Sequence, residues 1–153
     1  MLTRSSKSPQ PPLLFLGCLA LGWALGKRWP LGLGLPDLPR WAAGSGLMAV
    51  AGVLGAWGLL TFRRMGTTPE PNGVASSLLT SGPFRFTRNP LYLALSATLA
   101  AFGLLLDSAW VLLLAALLAL LLDRFVIQRE EARLRTQFGD TYHAYARRVR
   151  RWL

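Results

Sequence analysis

Two short stretches concentrate residue types that can do chemistry. The first, GPFRFTRNPLYLAL (residues 82–95), sets Arg85 and Arg88 ahead of Asn89–Pro90 and an apolar run. Asparagine at the cap and proline at the first helical position form a helix-start pattern. A helix N-terminus presents unpaired N–H groups and partial positive charge, and two guanidiniums beside it add full charge. Together they make a site for a carboxylate or phosphate. Each residue also has a plain structural reading, as a capped helix start whose arginines mark a membrane interface. The second stretch, QREEARL (residues 128–134), carries Glu130 and Glu131 among arginines. Adjacent helical residues point about 100° apart, so the two carboxylates serve different surroundings. Glu131 and Arg135 are four apart, the spacing of a helical ion pair worth ~0.3–0.5 kcal/mol when exposed.

The elements that must hold these stretches are apolar. Of 153 residues, 52% are hydrophobic, and they gather in blocks. The blocks predict four membrane spans: residues 13–30, 41–62, 91–106 and 109–127. A span needs about 20 apolar residues. Only Asp107–Ser108 separates the last two blocks, which predicts a tight helical hairpin. Small residues four apart, Gly22/Gly26, Ala51/Gly55 and Gly52/Ala56, predict close helix packing. After the fourth block, Leu134, Phe138, Tyr142, Tyr145, Val149 and Trp152 recur at spacings of three and four with arginines between them. That is an amphipathic helix with a basic face, able to lie on anionic lipid. Gly139–Asp140 predicts a stop near Phe138 and a second short helix after it.

The fold class read from this pattern is all-α and integral to the membrane, with four transmembrane helices and a cytoplasmic amphipathic helical extension. The chain divides into a polar tail (1–12), two N-terminal spans (13–63) and a core of loop, hairpin and C-terminal helices (64–153). Arg4, Lys7, Arg63, Arg64, Arg85, Arg88, Arg124 and Arg129 fall on one side, and Lys27, Arg28 and Arg40 on the other. The positive-inside rule then puts both termini in the cytoplasm, for a protein of the plasma or inner membrane.

Several classes are excluded or disfavoured. The net charge is +10, but the basic residues flank apolar blocks and no nucleic-acid-binding motif is present. One cysteine, Cys18, and one histidine, His143, leave no internal disulfide and no metal cluster. No dinucleotide fingerprint, P-loop or nucleophile elbow appears.

The order GTTPEPNGVASSLLTSGPF, RFTRNPLY, then REEARLRTQFGDTYHAYARRVRRWL resembles the isoprenylcysteine carboxyl methyltransferase and phospholipid methyltransferase superfamily of small integral-membrane enzymes. The likeness covers about residues 64–153. It implies S-adenosylmethionine as methyl donor, held at the cytoplasmic ends of the last spans, and a lipophilic acceptor taken from the bilayer. Arg88, Asn89, Pro90 and Tyr92 fall on the family's Arg-His-Pro-x-Tyr signature. Glu130 and Glu131 fall on its Glu-Glu pair, Gly82, Pro83 and Arg85 on the preceding Gly-Pro-aromatic-Arg run, and Tyr142 and Tyr145 on its C-terminal tyrosines. The resemblance makes all of these cofactor-binding, with Arg88, Tyr92 and Glu131 catalytic. Two positions depart from the pattern. Asn89 replaces the histidine, and an amide hydrogen-bonds but takes no proton at neutral pH. Ala94 replaces a glycine.

Methyl transfer from a sulfonium needs alignment and a dry site more than acid–base help. A carboxylate acceptor of the isoprenylcysteine type needs an arginine to hold it, whereas an amine acceptor, as in phospholipid N-methylation, arrives protonated and needs a base such as Glu131. Two other readings stay open. Membrane sterol and steroid reductases look similar in the C-terminal region and use NADPH. A non-catalytic four-helix membrane protein would bind no cofactor.

Overall fold

A computed structural model describes residues 9–66 and 77–153, and these form helices and connecting turns with no strand. The basic residues Arg4 and Lys7, most of the polar tail and residues 67–76 of the family-like loop lie outside the described residues. Helix α1 spans Pro11–Arg28, α2 Asp37–Arg64, α3 Pro90–Leu105, α4 Ala109–Leu122 and α5 Gln128–Arg148. A 3-10 turn, Gly82–Arg85, precedes α3, and a π-helical stretch, Asp123–Ile127, joins α4 to α5 without a break.

The helix starts follow from local chemistry. Pro11 and Pro90 sit at first helical positions, where a missing N–H costs nothing. Ser108 caps α4 by accepting from the Val111 amide at 3.4 Å. Asp107 turns the α3–α4 hairpin with φ of 50°. That hairpin is as tight as its two-residue break predicts, because α4 lies directly on Gly103, where a Cβ would stand 2.7 Å from Leu112.

Helix α2 packs on α3 through a stripe of small residues. A Cβ at Gly44 would meet Leu105 at 2.8 Å, one at Gly55 would touch Ala94 at 3.5 Å, and one at Gly58 would meet Leu91 at 2.8 Å. Ala51 is buried in the same seam. Small residues let backbones approach where dispersion drives packing. The expected pairs Ala51/Gly55 and Gly22/Gly26 face neighbours, Gly22 meeting Val111 and Gly26 meeting Ser108. The pair Gly52/Ala56 does not: both residues are exposed, and nothing lies within 4 Å of a Cβ at Gly52. The helical phase that buries Ala51 and Gly55 turns that pair outward. The Ala94 methyl group lies against α2 in this seam.

Leu99, Val111, Leu118, Leu122 and Val126 form the centre of the bundle with Cys18. Large apolar side chains also cover the outside: Val50, Val53, Leu59 and Leu60 on α2, and Leu113, Leu117 and Leu120 on α4. By length and composition α2 and the continuous α4–α5 helix can each cross a bilayer, and α3 is a shorter apolar helix. The 28 residues of α2 reach about 42 Å, beyond a hydrocarbon core of about 30 Å.

The C-terminal helix departs from expectation in two ways. It does continue straight from α4 and kinks at Gly139, with φ of 50° and ψ of −124°. However, its apolar face is used internally: Tyr142, Tyr145 and Val149 are buried and packed against Leu78, Leu134 and Phe138. The helix also ends at Arg148, so Val149 (φ −120°, ψ 130°) and Trp152 belong to a non-helical segment beyond it.

Candidate functional site

Gly82, with φ of 59°, starts the turn that delivers the arginines. A Cβ there would stand 2.6 Å from the Thr61 hydroxyl, so the turn lies flat on α2. Pro83 and Phe84 are buried behind it, and Phe84 meets Phe62 edge-on at 5.5 Å. The Tyr145 hydroxyl donates to the Phe84 carbonyl at 2.8 Å. These contacts hold the turn between α2 and α5. Arg85 ends it exposed, away from the carboxylates, whereas Arg88 turns inward.

The anion beside Arg88 is the chain's own Glu131. The Arg88 guanidinium lies 3.2 Å from a Glu131 carboxylate oxygen and donates to the Tyr142 hydroxyl at 3.2 Å. Glu131 is buried and takes two further guanidiniums, Arg151 at 2.7 Å and Arg135 at 3.6 Å. Arg151 also bridges to Asp123 at 3.2 Å. The i,i+4 pair of Glu131 and Arg135 is thus one edge of a larger network. Three guanidiniums face two carboxylates, a surplus of one positive charge. Arg88 Nε is buried with no hydrogen-bond partner. A buried N–H without a partner costs free energy, so the arrangement has capacity for one more acceptor.

Glu130 faces a different neighbour, as adjacency on a helix requires. Its carboxylate accepts from the Tyr92 hydroxyl at 3.0 Å, tying the start of α3 to α5. Neither glutamate is left to water alone. Glu130 lies beyond the apolar run that ends at Ile127. Burial raises its pKa; the Tyr92 hydrogen bond and Arg133 pull the other way, and Glu131 adds to the rise. Burial also raises the phenols Tyr142 and Tyr145, keeping both neutral, Tyr142 as acceptor from Arg88 and Tyr145 as donor to Phe84.

Asn89 precedes the first residue of α3, but its side chain makes no capping bond. Its amide nitrogen instead donates to the Arg151 carbonyl at 3.0 Å, and the Thr87 hydroxyl donates to the same oxygen at 3.1 Å. The cap expected from Asn-Pro is absent because a tertiary acceptor holds the side chain. Pro90 opens the helix as the sequence implies.

The structure therefore gathers Arg88, Glu131 and Tyr142 into one cluster, pairs Tyr92 with Glu130 beside it, and uses Gly82, Pro83 and Tyr145 to seat the turn. Sequence reasoning missed Arg151, Asp123, Thr87 and Trp152, whose indole N–H donates to Asp123 at 3.3 Å. Arg151 stands in a run of arginines that looks like a solvated face. No feature of the sequence set it apart, since the helical spacing runs on through Val149 and Trp152. Among the described residues no group of three or more His, Cys, Asp or Glu side chains is placed to hold a metal.

Residues 39–141 match the model of a family described as phospholipid methyltransferase. The match includes Arg88, Tyr92, Glu130 and Glu131 and stops short of Tyr142 and Arg151. A protein of Haemophilus influenzae whose printed name is "Uncharacterized protein" is 40% identical over 63 residues, 41% of this chain and all of that one. No solved structure matches the chain.

Proposed function

The chain belongs to the phospholipid methyltransferase family, and from that premise we propose that it is a membrane-embedded enzyme moving the methyl group of S-adenosylmethionine to a lipophilic acceptor. The observation that carries the reading is the cluster around Glu131: buried, surplus in positive charge, and seated where the apolar helices end. Four spans, with both termini on the cytoplasmic side of a plasma or inner membrane, complete the arrangement. Residues 64–153 then form the donor-binding core behind two N-terminal spans.

The residues present fit the donor. Its amino-acid carboxylate suits the unfilled Nε of Arg88 and the surplus guanidinium charge. Its cationic groups suit a site that also holds Glu131 and Asp123. S-adenosylmethionine supplies an electrophilic methyl group on a sulfonium. The chain's part is to hold, align and keep the site dry. Arg88 anchors negative charge, with Tyr142 fixing the guanidinium plane. Tyr92 and Glu130 stand at the mouth of α3, where an acceptor from the bilayer arrives. Asn89 takes no part in proton transfer, since an amide is not a base at neutral pH.

An isoprenylcysteine-type carboxylate acceptor needs only a guanidinium to hold it. A second reading, an amine or phospholipid head-group acceptor, is favoured by Glu130. Its raised pKa brings it closer to the range useful for removing a proton from an ammonium, and the Tyr92 hydroxyl orients it.

The test is thermal stability of the purified protein with S-adenosylmethionine, S-adenosylhomocysteine or NADPH. A rise with the first two alone supports the methyltransferase. A rise with NADPH alone overturns it in favour of a reductase. No rise with any of the three leaves a non-catalytic helical membrane protein.

A further inference from the structure

The segment after α5 is folded back into the cluster. The Arg88 amide donates to the Arg150 carbonyl at 2.9 Å, while Thr87 and Asn89 both donate to the Arg151 carbonyl. Trp152 and Arg151 reach Asp123 in the π-helical stretch between α4 and α5. Arg151 grips Glu131 as a fork: Nε to one oxygen at 3.1 Å, Nη2 to the other at 2.7 Å. Paired N–H bonds of this kind fix a carboxylate's plane as well as its charge. The consequence falls on Arg88. With both Glu131 oxygens held by Arg151, Arg88 meets Glu131 through one nitrogen and keeps a buried N–H unspent. Without Arg151, the nearest strong partner for Glu131 is Arg88 itself, and a two-bond pair there would neutralise it.

We propose that residues 149–152 form a strap that is a working part of the site, in which Arg151 is a positioning residue that occupies Glu131 and so leaves Arg88 available to the anionic part of the methyl donor. Asn89 is the strap's anchor: its amide hydrogen-bonds the strap backbone, which gives a use to the residue that stands in place of the family's imidazole. Arg151 and the strap lie beyond the residues that match the family model. The inference rests on the methyltransferase reading for the identity of the ligand.

The experiment measures S-adenosylhomocysteine affinity of the full-length protein in detergent, together with amide hydrogen exchange over residues 86–92. Arg151→Met is expected to weaken binding about tenfold, the scale of one lost charge-assisted contact. Arg151→Lys should recover only part of this, because an ammonium cannot form the fork. Added ethylguanidinium should restore Arg151→Met and do nothing for the wild type. Asn89→Asp has the same shape but loses the donor; it should weaken binding and speed exchange at 86–92. Arg151→Met that binds like the wild type, or that stays weak in ethylguanidinium, overturns the proposal. Should the wild type bind no S-adenosyl compound, the functional reading falls. The strap is then judged by exchange alone: faster exchange at 86–92 in Arg151→Met and Asn89→Asp supports it, and unchanged exchange overturns it.

Discussion

The two ends of the helical bundle each bury an arginine, and they do so for different purposes. At the α3–α4 turn, Arg40 donates to the carbonyls of Leu104 and Leu105 at 3.0 and 3.1 Å and pairs with Asp37 at 2.7 Å. It caps the C-terminus of α3, where unpaired carbonyls carry partial negative charge. The loop before α2 is tied to the same turn: the Leu33 amide donates to Asp107 at 3.0 Å, and the Trp110 indole to the Trp29 carbonyl at 2.7 Å. Every neighbour there belongs to that end: one guanidinium faces two carboxylates, Asp37 and, 3.9 Å from its Nε, Asp107. At the other end, Arg88 shares one carboxylate with Arg151 and Arg135, and its partners come from α5 and the strap. Both keep a buried Nε without a hydrogen-bond partner, but one guanidinium closes a helix beside two carboxylates, whereas the other shares its carboxylate with two more guanidiniums. An unspent buried N–H is thus not by itself evidence for a ligand site; what separates the two ends is the crowding of three guanidiniums on Glu131 and Asp123.

The comparison can be broken most sharply at Glu131. Glu131→Gln should reduce S-adenosylmethionine affinity by about a hundredfold or more and lower stability by up to about 3 kcal/mol. That is the low end for a broken buried pair, since Arg151 keeps Asp123. Calorimetric titration and denaturation read the two effects separately. Arg40→Met is the matched change at the other end. It should cost about 1–3 kcal/mol of stability through the orphaned carbonyls of α3 and leave donor affinity unchanged. If donor affinity also fell, the two ends would not be separable.

A smaller effect is expected at Tyr92. Tyr92→Phe keeps the ring and removes the hydroxyl that donates to Glu130, at a cost of about 1 kcal/mol. Steady-state kinetics should show the loss in the acceptor's KM or in kcat, with the donor's KM unmoved. The smallest effect is a pH dependence. The folded-state pKa of Glu130 is raised, mainly by burial, so the folded protein binds that proton more tightly than the unfolded chain. This contribution to stability is fully present below the ordinary carboxylate range and is lost as pH rises through the raised value. Tm measured across that window should fall more steeply in the wild type than in Glu130→Gln. With an amine acceptor, kcat should rise over the same window in the wild type as the base form appears.

Much of the helical plan was legible before any coordinates. The apolar blocks, the Asp107–Ser108 break, Pro90 at a helix start and the kink at Gly139 are local signals, and local signals act through the few residues around them. The site was legible in part. Arg88 and Glu131 stood out because charge beside an apolar span is costly, and their types suggested partnership. Nothing in the spacing set Arg151 apart from Arg147, Arg148 and Arg150, because all four share one basic run. Asn89 read as a cap because Asn-Pro usually is one; only the strap lying across it supplied a better acceptor.

Periodicity, proline placement and charge patterning are properties of short windows, and they were enough to set most of the helices, their order and the class of groups at the site. Which side of α2 packs, which glutamate meets which partner, and how residues 149–152 close over residues 87–89 were decided by the tertiary structure. Those outcomes depend on segments about 60 residues apart in the chain competing for the same few hydrogen-bond partners.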